Sequence, residues 1–251
     1  RLGSIEMKIE DDPRTDPRIA EAISLDNMPI RAVPNTSEPI EKLIDYFNQI
    51  EQDWGLNHDL EREKMPAFEQ IETNQQIVNG ANSNHITLHI HRPVKQTSAL
   101  PAIVHTHGGG MTIMSAEDPS YVRWRSLLAT QDLVVIGVEF RNAGGRLGNS
   151  PFPAGLNDCA SATKWFFDNK RELNISSIII SGESGVGNLS IATALKAKKE
   201  NWLNQINGVY ACCPYISGLY EKKPANLVSL SENDYYLINC DQMAVLACLY
   251  D

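Results

Sequence analysis

At 251 residues, 42% hydrophobic and 21% charged, the chain has room for one large α/β domain or two small ones, with the balance of an ordinary globular protein. Its formal net charge of −9 excludes a nucleic-acid-binding surface, which needs clustered Lys and Arg. No run of about 18 apolar residues is present, so a membrane-spanning helix is excluded, and residues 1–10 lack the apolar stretch of a secretory signal.

Residues 1–65 are rich in charge and helical pattern and are expected to form an N-terminal helical cap region. Ile40, Leu43, Ile44, Phe47 and Ile50 fall three or four apart, which makes one apolar helix face, and Pro39 suits a first turn. Such a face packs on a core or covers an active-site mouth; the spacing fits both. Residues 66–251 are expected to form the α/β core. Within them, 70–78 and 86–92 read as two strands around the turn signal Asn79-Gly80-Ala81-Asn82-Ser83-Asn84. His85, His89 and His91 would share one face of the second strand. Three histidines on one face invite a metal reading, but no Cys or carboxylate joins them nearby. A solvent-facing row is therefore the expectation, with no metal.

Residues 102–105 and 133–138 are short apolar runs of the kind that buried parallel strands show. A helix is expected from Pro153, with Leu156, Cys159, Ala160, Trp165 and Phe166 on its inner side. Residues 178–180 make another buried strand, followed by a helix from Ser184 to about residue 198, and 209–212 a further strand. Strands alternating with helices predict a mostly parallel sheet covered on both faces.

The chemistry concentrates in Gly182-Glu183-Ser184-Gly185-Val186-Gly187, where an apolar strand runs directly into a helical pattern. A serine at a tight strand-to-helix turn is lifted above the sheet, and Gly182 gives that turn room. The helix N-terminus behind Ser184 puts free N–H groups beside any developing negative charge. Neither a dinucleotide fingerprint nor a P-loop lysine is present, which weakens a nucleotide-binding reading of the same glycines and of the alternating pattern. The second signal is His107-Gly108-Gly109-Gly110 after the strand at 102–105. Consecutive glycines let several N–H groups point at one oxygen, as an oxyanion hole requires.

With these two motifs in this order, the chain resembles the hormone-sensitive-lipase-like carboxylesterases of the α/β-hydrolase fold. Phe140-Arg141-Asn142-Ala143 and Pro151-Phe152-Pro153-Ala154-Gly155-Leu156-Asn157-Asp158-Cys159 resemble two further segments of that family. The resemblance implies that Ser184 attacks an ester carbonyl and that the N–H groups of Gly108, Gly109 and Gly185 hold the oxyanion. His107, Gly110 and Glu183 would support the loop, with His107 orienting it, and Arg141 and Asp158 would anchor nearby structure. No cofactor is implied. The partner would be a small-molecule ester, and a homodimer is left open.

Two departures stand out. Val186 occupies the last position of Gly-x-Ser-x-Gly, where a β-branched side chain is expected to press on the elbow. All six histidines (His58, His85, His89, His91, His105 and His107) precede Ser184, whereas the family order is Ser, acid, His. Asp234, Asp241 and Asp251 follow the nucleophile in what reads as a helical or loop excursion. The expectation is a hydrolase lacking its C-terminal strands and helix, impaired as it stands, with 209–212 left as an apolar edge. A non-catalytic ligand-binding protein of the same fold is the alternative, with the gibberellin receptors as the family's precedent for losing the histidine. The five cysteines (Cys159, Cys212, Cys213, Cys240 and Cys248) are odd in number and lack C-x-x-C spacing, so reduced core thiols in a cytoplasmic protein are expected.

Overall fold

A computed structural model describes residues 11–24, 31–62, 65–218, 220 and 238–251. The described chain holds helices α1 (Pro17–Ser24) and α2 (Ile40–Arg62), then strands β1 (Ile71–Asn79), β2 (His85–Pro93) and β3 (Leu100–Thr106). Helix α3 (Pro119–Ala129), strand β4 (Val134–Glu139), helix α4 (Ala154–Asp168), strand β5 (Ile175–Glu183) and helix α5 (Gly185–Lys199) follow in turn. Strand β6 (Gly208–Cys212) and helix α6 (Cys240–Tyr250) complete it.

The strands form one sheet in the order β1-β2-β4-β3-β5-β6. β1 and β2 pair antiparallel, as does β2 with β4, while β4, β3, β5 and β6 run parallel. The predicted mostly parallel sheet is thus present, with an antiparallel hairpin at one end. Among the described residues β6 is the edge at the other end, and Val209 and Tyr210 on it are exposed.

Strand alternation assigns the helices to faces. Val134, Ile136 and Val138 of β4 join Ile86, Leu88 and Ile90 of β2 in the main core, together with Cys159, Ala162 and Phe166 of α4 and Leu189 of α5. The intervening positions must point the other way. A Cβ on Gly137 would meet the Arg125 guanidinium of α3, so α3 covers the opposite face. A second cluster joins Leu43, Phe47 and Ile50 of α2 to Ile113, Met114 and Tyr121 and to Val245, Leu246 and Leu249 of α6. It sits where α2 crosses the loop after β3.

Two expectations change here. His89 and His91 are not solvent-facing. His85 is exposed, but His89 and His91 lie 4% and 0% exposed, because α3 covers the face they share. Arg125 Nε donates to His91 Nε2 at 3.1 Å, and the His91 Nδ1 and Ser126 Oγ lie 3.0 Å apart. The cysteines are not all core thiols either. Cys159 and Cys240 are buried, whereas Cys212, Cys213 and Cys248 are exposed, and none of the five is in a disulfide. No helix among the described residues is long and apolar enough to cross a membrane.

Arg141 and Asp158 take the anchoring position anticipated for them. The Arg141 backbone N–H, Nε and Nη2 all donate to the buried Asp158 carboxylate at 2.8–3.0 Å. Asn84 Nδ2 donates to the same carboxylate at 2.9 Å, which ties the β1–β2 turn to α4.

Candidate active site

Ser184 stands between β5 and α5 with φ 55° and ψ −127°. A non-glycine residue held there costs on the order of 1–3 kcal/mol and persists only where the surroundings fix it. Three hydrogen bonds do so. The Ser184 amide donates to Cys212 O at 3.0 Å, and its carbonyl accepts from Tyr215 N at 2.9 Å and Asn188 N at 3.3 Å. A Cβ on Gly182 would stand 2.5 Å from the Val186 carbonyl oxygen, so the turn into the serine admits only glycine. Val186 follows this turn directly. Its side chain is fully buried in the main core, and the serine keeps its strained conformation beside it.

The glycine loop leaves β3 and folds back on itself. Gly109 and Gly110 have φ 106° and 64°, and Met111 and Met114 are also left-handed. The Gly109 carbonyl accepts from the Thr112 and Ile113 amides, both at 3.0 Å. Glu51 of α2, buried, accepts from Met114 N at 2.8 Å and Arg146 N at 2.9 Å, which ties the helix to the loop. The loop and the serine turn touch through backbone: a Cβ on Gly185 would stand 2.6 Å from Gly110 Cα.

His107 lies behind the loop, fully buried and stacked on Phe140 with ring centroids 4.4 Å apart. Its Nδ1 and the Gly108 carbonyl are 2.8 Å apart. Burial pushes the ring down to about 4, so it is neutral near pH 7, with the Nδ1–H donating. Glu139 lies 3.8 Å from Nε2, which is no hydrogen bond, and a neutral ring makes no ion pair with it.

Ser184, Gly108, Gly109, Gly110 and Glu183 line a single cavity of about 590 Å³. Phe47 and Trp54 of α2, Tyr121 and Trp124 of α3 and Leu246 of α6 make its apolar walls. Gly185 and His107 do not line it; one packs beneath the loop and the other behind. Burial raises the Tyr121 hydroxyl well above its usual range, with the nearby Glu183 carboxylate adding to the effect. A Cβ on Gly108 would meet Tyr121 Oη at 2.8 Å and Glu183 Oε1 at 3.3 Å, so the three groups crowd one corner. No histidine is among the described lining residues. Asp241 sits in the first turn of α6 and Asp251 at its C-terminus, while Asp234 lies outside the described residues. Among the described residues no three of His, Cys, Asp and Glu converge as a metal group would require.

The sequence reading missed Tyr121 and Trp124, because it missed α3. The buried residues of α3 are Tyr121, Arg125, Ser126 and Ala129. Their spacing is helical, but an arginine and a serine break the apolar pattern that would have announced it. Asp118-Pro119 was the available signal, since proline suits a first turn. Phe47 belongs to the apolar face that fitted either a core or an active-site mouth; it packs in the second cluster and also lines the cavity.

Comparison with known proteins bears on the whole of this region. A family model described as alpha/beta hydrolase fold matches residues 103–250. The solved structure of brefeldin A esterase, titled a bacterial homologue of human hormone sensitive lipase, superposes with a TM-score of 0.87 at 37% identity, covering 96% of this chain and 70% of that one. A probable carboxylesterase 13 of Arabidopsis thaliana is 26% identical over 156 residues, 53% of this chain and 46% of its own length. An Aspergillus terreus protein called FAD-linked oxidoreductase pytB is 28% identical over 165 residues, 64% of this chain but 19% of its own length. The chain thus spans less than half the length of these two curated relatives.

Proposed function

The chain belongs to the α/β-hydrolase fold family and stands with its hormone-sensitive-lipase-like branch; from that premise we propose that it is a serine carboxylesterase of small to medium acyl esters, with Ser184 as nucleophile. One observation carries this reading. A serine held in a strained turn and the amide-rich glycine loop line the same apolar cavity, with their backbones in contact.

In this mechanism Ser184 Oγ attacks the ester carbonyl carbon, and the carbonyl electron pair moves onto its oxygen. The amides of Gly108, Gly109 and Gly185 receive that oxyanion. Its collapse expels the alcohol, which takes up the proton lost by Ser184, and leaves an acyl-serine for water to hydrolyse. Gly110 and Glu183 keep the loop against the turn, and His107 fixes the Gly108 carbonyl so that the neighbouring amides face inward. Residues 1–65 serve as a cap through α2, whose Phe47 and Trp54 exclude water from the acyl group. Each oxyanion donor is worth on the order of 10²–10³ in rate. Acylation by an activated reagent reads the nucleophile and the oxyanion loop without calling on a general base. A cytoplasmic setting accompanies this reading, since five cysteines, odd in number and without C-x-x-C spacing, suit reduced thiols.

A fluorophosphonate probe tests the assignment without needing turnover. The expected result is one adduct per folded chain, mapped to Ser184 by peptide mass and absent from Ser184→Ala. A folded protein that takes no adduct, yet binds a small ester intact, would instead be the non-catalytic ligand binder.

A further inference from the structure

Cys212 ends β6 and Cys213 follows it, and both are exposed. Cys212 is already tied to the nucleophile, because its carbonyl accepts the Ser184 amide at 3.0 Å. Cys213 is tied to the cavity, because it lines the same space as Ser184 and Gly108. Its backbone is left-handed, with φ 35°, an uncommon state for a residue with a side chain. The two thiols also sense each other: the Cys213 side chain is the first cause of an upward shift of the Cys212 thiol. Two adjacent thiol-bearing residues therefore stand at the nucleophile's cavity, with Cys213 among the residues that line it.

What such a pair can take follows from valence and reach. Adjacent α-carbons across a trans peptide lie about 3.8 Å apart, short of the roughly 4.4–6.8 Å that disulfides usually span. Closing the pair on itself is therefore disfavoured, and both sulfurs stay available. A structural zinc ion wants about four ligands, and no third His, Cys, Asp or Glu joins a metal group among the described residues. A centre that needs two sulfurs and carries its remaining valence on carbon fits better. We propose that Cys212 and Cys213 form a dithiol site for organic trivalent arsenicals, and that its occupation closes the Ser184 cavity. In the binding step two As–S bonds replace two As–O bonds, the two thiol protons leave with the oxygens as water, and arsenic remains trivalent. The organic substituent is then carried into the space between Cys213 and the glycine loop. The closure half of this proposal rests on the esterase reading of Ser184; the dithiol half does not.

Phenylarsine oxide is the probe, used on folded protein carrying Cys248→Ser to remove the third exposed thiol. Intact mass is expected to show one phenylarsenic per chain, displaced by a dithiol but retained against an equal concentration of monothiol. Adding Cys212→Ser or Cys213→Ser should weaken retention on the order of 10²-fold, the gain expected when a second contact becomes intramolecular. Retention equal to that of either single-thiol variant overturns the site. Fluorophosphonate labelling of Ser184 should fall at least about tenfold in the arsenical-loaded protein and recover when the dithiol is added. Unchanged labelling of a loaded chain overturns the closure. Should Ser184 fail to label even before loading, the esterase reading and the closure fall together, and the mass measurement still decides the dithiol site.

Discussion

At Ser184 and Gly109 the backbone takes conformations that most residues avoid, and the two demands differ in kind. Ser184 carries its strain with a side chain present, so the cost is accepted for the sake of where Oγ stands. Gly109 could not carry one at all. With φ 106° and a Cβ position 2.2 Å from the Ile113 carbonyl oxygen, any substituent there must displace backbone. Gly109→Ala is therefore expected to open the loop and misdirect its amides while leaving the distant sheet intact. The fluorophosphonate labelling rate at Ser184 should drop by about 10²–10³, the cost of losing an oxyanion donor. Far-ultraviolet circular dichroism should stay near wild type. A variant that labels at the wild-type rate would mean that these amides do not act on the reacting oxygen. Val186 illustrates the opposite lesson. From sequence it reads as an intruder in a tight turn, yet the fold gives its side chain a place in the main core.

Helix α3 is the element that joins the sheet to the cavity, and it does so with a buried cation. Arg125 is fully buried; its Nε donates to His91 and its Nη2 to the Ala116 carbonyl, while Nη1 has no hydrogen-bond partner. Burial pushes it down to about 10, which still leaves it charged at neutral pH. The guanidinium lies flat against β4 at Gly137, where a Cβ would stand 2.6 Å from Cζ. Gly137 is in effect the seat of Arg125. Gly137→Ala should destabilise by about 1–3 kcal/mol through overpacking. Arg125→Ala should also destabilise, since it strips partners from His91 and Ala116. In the double variant the clash vanishes, so the combined loss should fall short of the sum by at least ~1 kcal/mol. Urea unfolding of the four proteins measures this. Additive losses would show that the arginine and the glycine do not bear on each other. Tyr121 and Trp124, which line the cavity, share two turns of α3 with Arg125.

Across the whole molecule, what could be read from sequence was what repeats or bends sharply. The strands emerged from apolar runs such as Val134-Val135-Ile136, and the serine turn and glycine loop emerged because few residue types tolerate such backbones. Polar burial stayed hidden. Nothing local distinguishes His89 and His91 from surface histidines, since only the long-range packing of α3 on β2 removes them from water. That hidden burial sets the pH response. Burial, as the leading cause, holds His91 and His105 at about 3 and His107 at about 4. In the unfolded chain each would titrate near 6.5. Between about pH 4 and 6.5 the unfolded state therefore binds protons that the native state refuses, so stability rises with pH across this window. As pH falls from 6.5 toward the folded values, the stabilisation is lost, at up to about 1.4 kcal/mol per pH unit for each ring. Three such rings give a slope approaching about 4 kcal/mol per unit, offset in part by Glu139, whose carboxyl is raised by burial and so pulls the other way. Urea midpoints measured from pH 7.5 down to 4.5 should be level above 7 and fall steeply below 6. His105→Gln should flatten the slope by at most about a third, since it removes one of several contributions, His89 being lowered by burial as well. A midpoint that holds steady or climbs between pH 6.5 and 5 would mean these rings are protonated in the folded protein, and that α3 does not seal them from water.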